Sequence, residues 1–105
     1  MSNMVICLTT VAKIRDAERI AKTLVAERLV ACVNVVPGVV SHYRWKNKIC
    51  REKEILLILK TTMKKTAALE KRLKNLHPYE LPEFILLPIE KGSKDYLAWI
   101  AKSVG

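Results

Sequence analysis

The 105-residue sequence is poor in the residues and runs that divide a chain or anchor it. It holds three glycines and four prolines. That is too few for a flexible linker between two cores, so we expect residues 1–105 to form a single domain. No apolar run approaches the roughly 18 residues that a membrane span needs. The first four residues, Met1 to Met4, lack the basic segment of a secretory signal. We therefore expect a cytoplasmic protein without membrane attachment.

Cysteine is scarce and poorly spaced for cross-links or a structural metal. The chain has three cysteines, Cys7, Cys32 and Cys50, and an odd number does not suit a disulfide framework. None forms a C-x-x-C pair, so the short paired spacings of a structural zinc site are missing. Each cysteine lies in an apolar or strand-like run, which predicts three reduced thiols, at least two of them buried.

Acidic residues are also few. There are ten against nineteen lysines and arginines, which gives a net charge of +9 and suggests an acidic partner such as nucleic acid. However, residues 44–74 alone hold eleven basic and three acidic residues, or +8 of that charge. The predicted strand from Arg51 to Leu59 has no aromatic residue on which bases could stack. We therefore expect non-specific DNA binding at low salt and no specific nucleic-acid partner.

The apolar residues that are present follow two periods. Continuous or alternating β-branched runs predict strands, and i, i+3, i+4 spacing predicts amphipathic helices. The predicted strands are residues 4–10, 31–36, 39–45, 49–61 and 84–89. Helices are predicted after three capping residues, Asp16, Thr62 and Ser93. His77-Pro78 ends the second helix, because proline lacks the amide hydrogen and restrains the residue before it.

This order of elements predicts an α+β fold of the ferredoxin-like βαββαβ type, with a long central hairpin and a C-terminal helix. Both main helices would cover one face of an antiparallel sheet. Pro37-Gly38 is expected to kink the second strand, and Lys46-Asn47-Lys48 to form the hairpin tip. Each hairpin arm of about 13 residues would extend roughly 40 Å. The unpaired edges of such arms invite pairing with another chain, so we expect a homo-oligomer.

Four stretches of the sequence carry a resemblance to a known family. They are Ala31-Cys32-Val33-Asn34 with Pro37-Gly38-Val39; Ser41, Tyr43 and Trp45; Leu59-Lys60-Thr61-Thr62; and His77-Pro78-Tyr79-Glu80-Leu81-Pro82-Glu83 followed by Leu87-Pro88-Ile89, Gly92, Tyr96-Leu97 and Trp99. In order and spacing, over essentially the whole chain, they resemble the CutA family of divalent-cation tolerance proteins.

The resemblance implies a homotrimer built by edge pairing of long strands, structurally similar to the PII signalling trimers. It also implies a cytoplasmic protein that takes part in tolerance of copper or other divalent cations, with no enzymatic reaction and no metal required for folding. Some family members carry a thiol just after the first strand and a second histidine just before the His-Pro pair. This chain has Thr9 and Leu76 at those positions.

Four residues are candidate metal ligands. The neutral imidazole of His77 suits copper and zinc; the alternative is a structural histidine whose ring bonds a carbonyl or carboxylate. Cys32 is a soft ligand for copper, or else a packed small hydrophobic residue. Glu80 and Glu83 flank Leu81-Pro82 and could bind a hard cation or a ligand amine. Their alternative role is to fix the loop through backbone amides or basic partners.

Three aromatic residues and a lysine are candidates for a ligand cleft. Tyr43, Trp45 and Tyr79 could line such a cleft, with Lys60 binding an anion. The alternative is subunit-interface packing, in which aromatic residues with a polar tip are common. The sequence therefore favours a metal-binding tolerance protein. The second hypothesis is a PII-like trimer that binds a small anionic ligand between subunits.

Overall fold

The computed structural model describes residues 3–105. Met1 and Ser2, on which the prediction about a secretory signal partly rests, lie outside the described residues. The elements are β1 (Met4–Val11), α1 (Ile14–Ala26), β2 (Cys32–Trp45), β3 (Lys48–Thr62), α2 (Thr66–Leu76), β4 (Ile85–Pro88) and α3 (Lys94–Val104). The strands form one antiparallel sheet in the order β2–β3–β1–β4. The predicted α+β ferredoxin-like topology is confirmed.

One side of the sheet, called here the helix face, packs against α1 and α2. Along β1 every second residue is buried, from Val5 to Val11, as a half-covered strand requires. The core cluster joins Cys7 and Val11 of β1, Leu57 and Leu59 of β3, Ile20 and Leu24 of α1, and Leu69 and Leu73 of α2. Each buried leucine or isoleucine stabilises the fold by about 1.5–3 kcal/mol. These contacts fix both main helices on one face.

Two of the three predicted helix caps are wrong. Helix α1 begins three residues earlier than expected: Lys13 is its N-cap, and Asp16 lies in the first turn beside Arg19. A carboxylate there still interacts favourably with the helix dipole. Thr62 precedes a 3-10 turn, Met63–Lys65, and makes no side-chain cap bond. Ser93 does cap α3, because its hydroxyl accepts a hydrogen bond from the Tyr96 amide.

The β2–β3 hairpin extends well past β1 and gives the chain a longest dimension of 44 Å. At its tip Lys46 and Asn47 both have positive φ angles, 50° and 65°, which two-residue hairpin turns require. Where Pro37-Gly38 predicts a kink, β2 has a bulge between Val36 and Val39. The long kinked hairpin is confirmed.

The other side of the sheet, called here the cleft face, is only partly covered. It carries Leu56, Ile58 and Lys60 of β3, which alternate with the buried residues of the helix face. Helix α3 packs over part of it, since Lys60 contacts Tyr96 and the side chains of Ile100 and Val104 are buried. Large apolar side chains remain exposed on or beside this face, among them Val36, Tyr43, Trp45, Leu81, Ile85, Leu87 and Trp99.

The cysteines are unpaired, but only Cys7 is buried. Cys32 and Cys50 are half-buried, so the prediction of at least two buried thiols is wrong. Both lie on the cleft face, opposite Lys60 and Tyr43 respectively, where no helix covers them in the single chain. None of the helices within residues 3–105 is both long and apolar enough to cross a membrane.

Candidate functional site

A cleft of about 860 Å³ opens on the cleft face where the hairpin extends past β1. One wall is the outer part of β2, and the other is the loop that connects α2 to β4. Its lining includes five of the eight predicted site residues: Tyr43, Trp45, Tyr79, Glu80 and Glu83. Thr10, His42, Arg44, Glu54 and Phe84 complete much of the remaining surface.

The bulge in β2 decides which side chains face this cleft. It places Val39 opposite Glu54 and adds one residue to β2 relative to β3. Because side chains alternate along a strand, odd-numbered residues beyond the bulge share the face of Glu54. Tyr43 and Trp45 therefore lie on the cleft face, together with Val39 and Ser41.

His77 anchors the opposite wall. Its Nε2 lies 2.8 Å from the Thr10 carbonyl oxygen, and the Tyr79 amide donates to its Nδ1 over 3.1 Å. A carbonyl only accepts, so Nε2 carries the hydrogen and the ring is neutral. Burial lowers the pKa of His77, although the Thr10 carbonyl opposes the shift. Both ring nitrogens are thus already bonded, which is the structural arrangement that the sequence left as the alternative to a metal ligand.

The inner wall of the cleft carries a buried carboxylate that the sequence analysis did not single out. Glu54 is 9% exposed, and the Tyr79 hydroxyl donates to its Oε2 over 2.6 Å. The three ion pairs within residues 3–105 join Arg19 to Asp16, Arg72 to Glu27, and Lys74 to Glu70. Glu54 therefore has no lysine or arginine partner in the described part of the chain.

Three side chains near Glu54 have raised pKa values, for which burial is the largest cause and Glu54 a further one. Burial raises the pKa of Glu83, and the charge of Glu54 adds to that shift. The pKa of Tyr79 is raised first by burial and then by its hydrogen bond to Glu54. The pKa of Tyr43 is raised by burial, with smaller effects from neighbouring groups that include Glu54. These four side chains form one electrostatically coupled group.

Two predicted site residues, Cys32 and Lys60, lie apart from the cleft. They face each other across β2 and β3. The Lys60 ammonium is 3.3 Å from the Tyr96 hydroxyl and 5.6 Å from the centre of its ring. Tyr96 in turn stacks at 5.4 Å on Trp99. The predicted residues thus divide into two places, the cleft and a cluster at the start of α3.

Thr9 and Leu76 stand where some family members carry a thiol and a second histidine, and neither offers a metal ligand of that kind. Thr9 is fully buried on the helix face, away from the cleft, and its hydroxyl has no hydrogen-bond partner in the described part of the chain. Cys7 lies on the same face, and burial raises the pKa of its thiol to about 12, which disfavours the thiolate that binds metals. Within residues 3–105 no group of three or more histidine, cysteine or acidic residues is placed to hold a metal ion.

Sequence reasoning could have found Glu54 from one signal. It stands directly before the apolar run from Ile55 to Leu59, within a strand. A carboxylate at the edge of a buried run is uncommon, because burying a charge is costly unless a partner compensates it. Only the fold shows that Tyr79, 25 residues away in sequence, supplies its hydrogen bond.

Comparison with known proteins gives one consistent result. The family model described as "CutA1 divalent ion tolerance protein" matches residues 5–103. A divalent-cation tolerance protein CutA from Thermus thermophilus is 46% identical over 100 residues, covering 95% of this chain and 97% of its own. A solved CutA structure from Xylella fastidiosa aligns with a TM-score of 0.97 at 41% identity, over 99% of this chain and all of its own.

A second similar structure adds a point about location. It is described as a periplasmic divalent cation tolerance protein CutA from Archaeoglobus fulgidus, with a TM-score of 0.94 and 36% identity over 97% of this chain and 99% of its own. The family model and the Thermus and Archaeoglobus descriptions name a tolerance protein, and none of the four descriptions names a reaction.

Proposed function

We propose that this chain, which belongs to the family of CutA1 divalent ion tolerance proteins, is a non-enzymatic homotrimer that binds copper or another divalent metal ion in the response to metal ions. The observation that carries the metal part is the charge of the cleft. Glu54, Glu80 and Glu83 line one cavity, and none of them forms an ion pair with a lysine or arginine of the described chain. Arg44 is the one lysine or arginine among the lining residues, and its side chain belongs to the opposite face of the hairpin. An excess of carboxylates favours a cation.

The donor set fits a hard or borderline divalent ion better than Cu(I). Carboxylate oxygens suit ions that keep several water ligands, whereas Cu(I) prefers thiolates. None of the three cysteines lines the cleft. Glu80 and Glu83, at the cleft wall, would hold the ion, with water or a neighbouring copy completing its coordination.

Titration calorimetry with Cu(II), Zn(II) and Mn(II) tests this assignment. We expect Glu80→Gln and Glu83→Gln each to weaken binding at least tenfold, about 1.4 kcal/mol, because each removes a charged ligand. Glu90→Gln is the matched control, since Glu90 is an exposed carboxylate outside the cleft. Binding that is the same in all three variants, or no binding tighter than about 100 μM (roughly −5.5 kcal/mol), would overturn the assignment.

The ligand predictions for His77 and Cys32 are tested by the same titration. His77 would have to break its bond to the Thr10 carbonyl or the Tyr79 amide before it could coordinate a metal. Cys32 would have to act at a second place, beside Lys60. If His77→Gln and Cys32→Ala bind metal as the unsubstituted protein does, neither residue is a ligand.

The proposed trimer is supported by the edge strand β2, which has no pairing strand on its outer side within the described chain. Strand β2 is a 14-residue edge of the sheet, and much of its cleft-face surface is apolar and exposed. Long unpaired edges pair readily with other chains. Light scattering at micromolar concentration should give three times the 12.0 kDa chain mass; a monomer would contradict the proposal.

A second candidate function rests on the cluster at the start of α3. The Lys60 ammonium, half-buried beside the ring of Tyr96, is a cation that a small anionic ligand could neutralise, as in a PII-like trimer. A thermal-shift screen of anionic metabolites would support this candidate if a hit raised the melting temperature of the unsubstituted protein and not of Lys60→Gln. We also propose action in the cytoplasm, consistent with three unpaired thiols; cell fractionation checks it.

A further inference from the structure

The inner wall of the cleft has a chemical character different from that of its mouth. Glu54 is about nine-tenths buried, keeps one hydrogen bond from the Tyr79 hydroxyl, and has no cationic partner within residues 3–105. Buried carboxylates in proteins are nearly always paired with a cation or a metal. The missing positive charge must come from outside the single chain.

Two aromatic residues lie on the Glu54 side of the cleft. The Tyr79 hydroxyl donates to Glu54, and Tyr43 lies on the same sheet face, near enough for Glu54 to contribute to its raised pKa. Trp45 and Phe84 line the cleft farther along. Aromatic faces attract cations through their electron density, but they are poor ligands for an aquated divalent ion, which requires several oxygen donors. A carboxylate flanked by aromatic faces is instead the environment that binds an organic ammonium group.

We propose that the inner cleft binds a small organic amine, with Glu54 accepting hydrogen bonds from its ammonium group and the ring of Tyr43 packing against its apolar body. The volume of about 860 Å³ lies within the range of ligand pockets. The proposed ligands are distinct from those of the metal proposal, because Glu80 and Glu83 would hold the ion and Glu54 the ammonium group.

Calorimetry with phenethylamine as the probe tests this inference, with a chelator present to remove metal ions. We expect binding of phenethylamine and at least tenfold weaker binding of phenethyl alcohol, which has the same shape without the charge. Glu54→Gln keeps an oxygen that can accept from Tyr79 and should also weaken amine binding at least tenfold. Tyr43→Leu keeps apolar area but removes a ring, and should weaken binding several-fold. Glu90→Gln is again the control and should bind as the unsubstituted protein does.

Three results would overturn the inference: no binding of the amine, equal binding of amine and alcohol, or unchanged binding by Glu54→Gln. A Glu54→Gln protein that changes its oligomeric state, when the unsubstituted protein does not bind the amine, would assign the missing cation to a second copy of the chain. Failure of the metal proposal would leave these results unaffected, since the amine is measured without metal and Glu80→Gln is not used.

Discussion

Two fully buried threonines on neighbouring strands differ in whether their hydroxyl groups have a partner. The Thr61 hydroxyl donates to the Leu29 carbonyl over 2.7 Å, whereas the Thr9 hydroxyl has no partner among residues 3–105. A buried hydroxyl without a hydrogen bond costs free energy relative to an apolar group of the same shape. We therefore predict that Thr9→Val raises the free energy of unfolding by about 1–2 kcal/mol.

Thr61→Val is the matched control, because it makes the same change where the hydrogen bond exists. It should lower the free energy of unfolding by about 1–3 kcal/mol, since it leaves the Leu29 carbonyl without this donor. Urea denaturation at a fixed protein concentration measures both. Equal effects of the two substitutions, in either direction, would contradict the account of Thr9.

The buried ring of His77 makes stability depend on pH. Its folded-state pKa lies below the ordinary value of 6.5, so the unfolded chain takes up this proton first as the pH falls. Its contribution to stability is therefore complete above pH 6.5 and is lost progressively below it. Urea midpoints at pH 7.5 and 5.5 should show a larger loss for the unsubstituted protein than for His77→Gln.

Other groups also make stability depend on pH, so the difference between the two proteins is the informative quantity. Glu83 has a raised pKa, and its contribution runs the opposite way: it is complete below the ordinary carboxyl pKa and is lost as the pH rises. It is present in both proteins and cancels in the comparison. Equal pH dependence in the two proteins would show that His77 is not held neutral by burial.

At the scale of elements, the bulge in β2 depends on one glycine. Gly38 has φ = +82°, and no heavy atom would lie within 4 Å of an added Cβ, so a substitution there has only a conformational cost. Alanine in the left-handed region costs about 1–2 kcal/mol. We predict that Gly38→Ala lowers the free energy of unfolding by that amount. Gly38→Asn should recover much of the loss, because asparagine tolerates this region; equal losses in both variants would contradict the conformational explanation.

The sequence predicted the elements well because their signals are local. The apolar period of 17, 20 and 24 in α1, the kink at Pro37-Gly38 and the turn at Asn47 all depend on neighbours along the chain. The wrong predictions concern positions where two residues could cap the same helix, or where burial depends on residues far away in sequence. Helix α1 begins one turn earlier than predicted, so Lys13 and not Asp16 is its N-cap. The half-burial of Cys32 and Cys50 depends on which sheet face the helices cover.

The candidate site was harder to predict because it joins segments far apart in sequence. Tyr43, Trp45, Tyr79, Glu80 and Glu83 were recognised individually from residue type, and the fold brings them into one cleft. Lys60 was expected with them, but it faces Tyr96 at another place on the sheet. Glu54 was not recognised, because its burial appears only when the loop after α2 folds over the hairpin.

At the scale of the whole molecule, the protruding hairpin has two unlike sides. Tyr43, Trp45 and Glu54 lie on the cleft face. The opposite side carries the exposed residues His42, Arg44, Arg51 and Lys53, and His42 stands directly across from Arg51. Arg44, Arg51 and Lys53 make this side a basic ribbon that a nucleic-acid backbone could contact.

This ribbon predicts DNA binding that depends on salt and not on sequence. In a filter or fluorescence assay with two unrelated duplexes, we expect equal affinities at about 50 mM salt and losses of several orders of magnitude by about 200 mM, because binding releases condensed counterions. Replacing both Arg51 and Lys53 with glutamine should reduce the slope of log affinity against log salt by about 2 for each hairpin that contacts the DNA.

Lys102→Gln, which changes an exposed lysine on α3, is the control and should leave the slope unchanged. A slope unaffected by the double substitution would place the charge that binds DNA elsewhere, and a preference between the two duplexes would contradict binding through the backbone alone.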